Sequence, residues 1–260
     1  MLGDTGSNPA PLSILRRFRI GTQVLDLNSL TPEEIMLATG QQSFEQQAYL
    51  PRLATNYEAD DDQGNSIPRG AFKINNDDAQ TLYAKTVTFT PILGTYQYSV
   101  YDSKENNFPL VTTQFKSWGE PILDTVGNEV RAAKYKKTVL GRDPSLDGTL
   151  KCTRLLYGVV ELHNPVNNKG EKQKNFKTPC VFPAKGANFS PVSEVIDSLT
   201  KQKKLMHSTP LTMNTRREKN GNVTYFPIEL TASETEVSFS TAHEDLNLSD
   251  FDFLLPRDYQ

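Results

Sequence analysis

From residue 50 onward the apolar positions of this chain recur every second residue, and short β-branched and aromatic runs are separated by Gly, Pro, Asn and Asp. That is the pattern of antiparallel strands joined by turns. Strands are predicted at 71–74, 81–91, 95–101, 111–118, 153–161, 177–182, 211–217, 223–230 and 236–240. So many strands and so few helices predict a mainly β chain built as a barrel or a sandwich. Two helices are also predicted, one ahead of this pattern and one interrupting its second half. Thr31-Pro32-Glu33-Glu34 carries a capping box with Leu30 and Ile35 as its staple, and Gly40 ends it. Ser190 and Pro191 open the second, whose Val192, Val195, Ile196 and Leu199 share one face that packs on the sheet. Residues 141–150, with Asp143-Pro144 and Asp147-Gly148, form a turn-rich connection, and residues 58–65 an acidic hairpin tip.

The ends of the chain have a different composition. Residues 1–13 are rich in Gly, Ser, Asn and Pro, whereas 241–260 alternate acids with Leu and Phe. The expected organisation is a flexible arm with a short helix over 1–45, a β-rich body over 46–240 and a mobile acidic tail over 241–260. With 37% apolar residues in 260, the body has the material for a large core. No run approaches the roughly 18 apolar residues of a membrane span, and the first residues lack a signal-peptide layout. The expectation is a protein with no membrane partner that stays in the cytoplasm, of the host cell if the chain is viral. Two cysteines, Cys152 and Cys180, suit a reducing compartment, with a bridge between them left open.

A net charge of −3 conceals an asymmetry. Residues 1–128 hold 9 basic and 15 acidic side chains, 129–219 hold 18 and 8, and 220–260 hold 1 and 8. The middle block clusters its cations at Lys134, Lys136 and Lys137, at Lys169, Lys172, Lys174 and Lys177, at Lys201, Lys203 and Lys204, and at Arg216, Arg217 and Lys219. A basic block followed by an acidic tail suggests a surface made for a polyanion and a segment able to cover it. Lys201, Lys203 and Lys204 equally suit the negative end of the second helix.

Catalytic signatures are missing from the sequence. The three histidines, His163, His207 and His243, stand beside no nucleophile elbow, and no glycine loop of the phosphate-cradling kind occurs. Cys152, His163, Cys180 and His207 are too widely spaced for a zinc site, and the calcium-loop imitation at Asp60, Asp62 and Gly64 has Ala71 where the bidentate Glu belongs. The chain is therefore expected to be no enzyme and to need no metal or cofactor.

Basic grooves lined by aromatic faces bind single-stranded nucleic acid, and both ingredients occur. Tyr96, Tyr98 and Tyr101 lie in one predicted strand, Tyr96 and Tyr98 on one face and Tyr101 on the other. Phe115 and Trp118 follow in the next, with Tyr157 and Tyr225 later among Arg154, Arg216 and Lys219. Phe89, Phe189 and Phe226 read as core. These features, with Phe89-Thr-Pro-Ile-Leu93, Leu155-Leu-Tyr-Gly-Val-Val160, the segment Phe189–Leu205 and Lys219-Asn-Gly-Asn-Val-Thr-Tyr225 before an acidic end, resemble phage-encoded single-stranded DNA-binding proteins over residues 50–240. The resemblance implies an elaborated OB-fold-like antiparallel β-barrel with one or two short helices. It also implies a protein that coats and protects unpaired DNA in phage replication or recombination. In that reading Lys134, Lys136, Lys137, Arg154, Lys185, Lys201, Lys203, Lys204, Arg216, Arg217 and Lys219 neutralise phosphates, and Tyr96, Tyr98, Tyr101, Trp118, Tyr157 and Tyr225 stack bases. The tail, through Asp250, Phe251, Asp252 and Phe253, recruits replication or recombination proteins. The rival readings are a virion structural or assembly protein with a β-sandwich body and a hydrolase whose carboxylates the sequence does not reveal.

Overall fold

A computed structural model describes residues 17–20, 23–26, 50–75 and 80–237. The chain divides into two compact units, Met1–Tyr49 and Leu50–Gln260. In the first, β1 (Arg17–Ile20) and β2 (Gln23–Asp26) pair antiparallel, with Arg17 opposite Asp26. The helix expected from Thr31, the arm over 1–13 and the tail over 241–260 lie outside the described residues.

The second unit is mainly β, as the two-residue period predicts. β3 (Ala54–Thr55), β4 (Phe72–Asn75), β5 (Thr81–Ala84) and β11 (Val166–Asn167) make a four-stranded sheet in the order β11-β5-β4-β3. The larger sheet runs β12-β10-β6-β13-β16, with β7 also on β6. Its strands are β6 (Val87–Asp102), β7 (Asn107–Val111), β10 (Leu150–Leu162), β12 (Phe176–Ala184), β13 (Leu211–Thr215) and β16 (Ile228–Ala232). All its pairings are antiparallel, and the path does not close on itself, so no closed barrel is formed among the described residues. Small hairpins complete the β structure: β8 (Pro121–Leu123) with β9 (Glu129–Arg131), and β14 (Glu218–Asn220) with β15 (Val223–Tyr225).

Two stretches read as separate strands are one. β6 is 16 residues long and runs through Pro91 and Gly94, while the break falls earlier, at Lys85-Thr86. Pro91 is tolerated because it faces the β-bulge between Tyr157 and Gly158, one of the places where a sheet accepts proline. The strand expected over 111–118 stops at Val111. Beyond it the Thr112 amide bonds the Tyr98 carbonyl while its Oγ1 accepts the Tyr98 amide, and pairing with β6 resumes only as a single bridge between Tyr96 and Phe115, with bonds of 2.7 and 3.0 Å. The strand expected over 223–230 divides at Phe226-Pro227, and no strand is formed at 236–237.

The first helix of this unit, α1 (Ala132–Arg142), is one the strand pattern does not predict. Ala132, Tyr135 and Val139 fall at i, i+3 and i+7 and are its buried positions. The second, α2 (Phe189–Lys201), buries Val192, Ile196 and Leu199 as predicted, but it starts one residue before Ser190. Asn188 is its N-cap residue and makes no side-chain cap, because its Oδ1 accepts the amide of Ile228 at 3.0 Å. At the other end Lys203 has φ +58°, its amide bonds the Thr200 carbonyl, and the Lys204 amide bonds that of Leu199. This is a Schellman termination with lysine where glycine is usual.

The side chains form two main cores on the same face of the β6–β10 pair. One joins Phe89, Leu156, Phe182 and Leu211 to α2 and to Phe72 and Leu82 of the four-stranded sheet. The other joins Tyr98, Val100 and Leu150 to Phe115, Ile122 and α1. Cys180 is buried in the first and Cys152 packs beside the second, both as free thiols. Burial pushes the Cys152 thiol up to about 12 and raises that of Cys180 as well. Both are therefore expected to resist a thiol-specific reagent at neutral pH in the native protein and to react once it is unfolded, which a timed colorimetric assay reads.

Gly158 sits against the backbone of β6: a Cβ there would lie 2.2 Å from the Thr90 carbonyl oxygen and 2.8 Å from the Pro91 Cα. Both obstacles are backbone, so neither swings away. Gly158→Ala is expected to destabilise the fold by roughly 1–3 kcal/mol, seen as a lower denaturant midpoint.

Candidate nucleic-acid interface

At the margin of the second core, on the side toward the first, lies a group of side chains around Tyr96. Arg154 of β10 is directly opposite Tyr96 of β6, and directly opposed residues present their side chains on one face. The Arg154 guanidinium carbon accordingly lies 5.0 Å from the Tyr96 ring centre. The same ring meets Trp118 at 4.7 Å, Phe115 at 5.6 Å and Phe189, the first residue of α2, at 6.3 Å. Burial raises the Tyr96 phenol, and the Arg154 charge works against that rise. Arg154 is only 6% exposed, and its Nε and Nη1 are buried without a hydrogen-bond partner. Trp118 is 40% exposed.

Trp118 owes its position to the start of α1. That helix has no side-chain cap; its first two amides, Ala132 and Ala133, donate instead to the carbonyls of Glu120 and Trp118 at 2.8 and 3.0 Å. The Glu120 carboxylate receives the Lys116 amide, and Ser117 Oγ receives that of Gly119, which closes the turn around the indole. At its far end α1 is tied to the β8–β9 hairpin, where Arg142 donates to the Asp124 carboxylate. Asp124 also accepts the amides of Val126 and Asn128. Burial opposes its charge, but these donors and the Arg142 guanidinium outweigh it and hold the carboxyl below its ordinary value.

The residues assigned to a base-stacking surface divide by face. Tyr98 and Tyr157 are each 5% exposed, so neither offers a ring to a base. Tyr98 stacks on Tyr135 of α1 at 4.8 Å, and burial pushes its phenol up to about 12. Tyr157 faces the other side of the sheet, where its hydroxyl and the Gln114 amide bond one another. Both are corrections: a tyrosine in a strand covered on both faces is core, and the sequence does not show that a helix or a loop covers it. Tyr101 is exposed on the outer face, where it meets exposed Phe108 at 5.2 Å. Tyr225 is half-buried and hydrogen-bonded to Glu218.

The cations do not form one continuous trough. Lys134, Lys136 and Lys137 are exposed on α1, Lys134 in the turn next to Trp118, and exposed Lys185 precedes Phe189 by four residues. Lys201, Lys203 and Lys204 end α2, about 20 Å along its axis from Phe189. Arg216 and Lys219 belong to the β14–β15 region with Arg217, and Arg216 is paired with Glu218 and Glu229. Arg154 is a buried cation, not a surface one. Phe189, read as core, and Phe108 and Glu120 are the further residues of the interface, and buried Phe115 backs Tyr96 and Trp118 from the second core. Phe189 joins the group through Tyr96, whose place beside Arg154 depends on the pairing of β6 with β10.

Comparison with protein-family models, with curated proteins and with solved structures finds no match for this chain. The geometry therefore carries the functional argument alone. Among the described residues no group of three or more His, Cys, Asp or Glu side chains is placed to hold a metal ion, and no helix is long and apolar enough to cross a membrane.

Asp124 also sets an acid response. A carboxyl held below its ordinary value adds stability above that value and loses it as pH falls through its lowered one. Asp124→Asn is expected to lower the melting temperature at neutral pH and to flatten its decline on acidification, as thermal scans across the acid range would record.

Proposed function

We propose that this protein binds single-stranded DNA and protects it during phage replication or recombination, in the host cytoplasm. The observation that carries this reading is the meeting of Arg154 and Trp118 on the ring of Tyr96: the register of β6 with β10 sets the cation against Tyr96, and exposed Trp118 packs on the same ring. Cations that follow a backbone and rings that receive bases are the two requirements of sequence-tolerant single-strand binding.

Strand order supports the same reading. In chain order the five strands of the main path are β6, β10, β12, β13 and β16, arranged third-second-first-fourth-fifth across the sheet with α2 between the third and fourth. That is the order expected of an OB-fold, here opened between β12 and β16. OB-folds bind oligonucleotides with the face of their second and third strands and with the loops joining strands 1–2 and 4–5. The first of those loops, residues 103–149, carries Trp118, Lys134, Lys136 and Lys137; the second, 216–227, carries Arg216, Arg217, Lys219 and Tyr225. Tyr101, near the end of β6 where the chain enters the first loop, has the exposure that stacking requires. In this reading the acidic tail, including Asp250, Phe251, Asp252 and Phe253, contacts replication or recombination proteins.

Titration of the full chain with single- and double-stranded oligonucleotides at several salt concentrations tests the proposal. Single strands are expected to bind more tightly, with log affinity falling against log salt by about 0.7 for each phosphate neutralised. Affinity that ignores salt, or equal affinity for duplex, would refute it.

A further inference from the structure

We infer that Arg154 and Trp118 together form a site for one nucleotide unit, with the phosphate on the guanidinium and the base on the indole. The inference rests on the single-strand reading and narrows it to named atoms. A guanidinium that is 6% exposed, with Nε and Nη1 buried and unpartnered, is costly to leave unpaired. Its cation–π contact with Tyr96 satisfies the positive charge in part but gives those two N–H groups no acceptor. Nη2 is not among the sealed atoms, and it is shared by both of the guanidinium's hydrogen-bonding forks, Nε with Nη2 and Nη1 with Nη2. An oxyanion therefore arrives at Nη2, and a slight turn of the guanidinium brings the second N–H of either fork to it. Phosphate is the oxyanion whose geometry suits such a fork.

The neighbouring ring says what the phosphate is attached to. Tyr96 meets the guanidinium at 5.0 Å and the Trp118 ring at 4.7 Å, so it is the neighbour that the cation and the exposed indole share. Trp118 keeps 40% of its surface open, and the turn that presents it is closed by Glu120 and by the first amides of α1. Lys116 and Lys134, both exposed, stand two residues before the indole and in the first turn of α1, where they add positive charge along the approach.

Trp118 is the sole tryptophan of the chain, so its fluorescence reports on this site alone. The experiment titrates the full-length protein with thymidine monophosphate and with thymidine, and in parallel measures binding of a dye-labelled oligothymidylate. Thymidine monophosphate is expected to quench Trp118, and thymidine to do so roughly tenfold more weakly, because it lacks the charged hydrogen bonds. Arg154→Lys keeps a charge but loses the fork, and it is expected to bring the monophosphate down to the level of thymidine. A melting temperature for this variant shows whether it has folded, and the wild-type comparison stands whatever that result. Equal quenching by nucleotide and nucleoside, or none by either, overturns the inference. Salt-dependent oligonucleotide binding with a silent Trp118 would discard this site while leaving the single-strand reading intact; quenching by the monophosphate without oligonucleotide binding would do the reverse.

Discussion

The antiparallel pairing of β6 with β10 is the constraint from which most of this molecule follows. Thirteen residue pairs hold the two strands together, from Leu150 with Val100 to Leu162 with Val87. Because side chains alternate, that single register sends Leu156, Arg154, Cys152 and Leu150 to the same face as Tyr96, Tyr98 and Val100. Both helices pack on this face, one at each end, and the two cores they close leave Arg154 and Tyr96 between them. A slip of one residue would carry Lys151 onto the face that the helices cover and turn the arginine to the other side of the sheet. The bulge at Gly158 guards against such a slip, since no other residue fits beneath the Thr90 carbonyl.

Much of the fold was legible in the sequence because period-two alternation is a local signal. The strands around Phe72, Val87, Leu156, Phe182 and Leu211 come directly from it, as does the buried face of α2. What escaped detection depends on contacts made at a distance. Ala132, Tyr135 and Val139 have helical spacing, but three lysines among them read as a charge cluster, and only the packing of Tyr135 on Tyr98 gives that helix its apolar partner. Asn188 displaces the expected cap at Ser190 because Ile228, 40 residues later, needs its oxygen.

The candidate interface was legible in kind and not in detail. The sequence offers many tyrosines and cations near one another in number, and the structure sorts them by face. Tyr98 and Tyr157 are spent on the interior, Tyr101 and Trp118 keep open surface, and Arg216 is spent on two carboxylates. Lys203 has a backbone duty at the end of α2 whatever its side chain does. Charge counts along a chain cannot separate these cases, because pairing and burial are decided by residues far away in sequence.

Immediately after the boundary between the two units, Pro51 and Leu53 bind the outer edge of β12 in parallel, through the amide and carbonyl of Val181. Tension entering the body along this segment is borne by two bonds loaded side by side, in shear, before it can reach the interior. The same clamp screens the middle of a sheet edge that would otherwise be open to recruitment by a stray strand, so the linker anchors the body and guards it against misassembly.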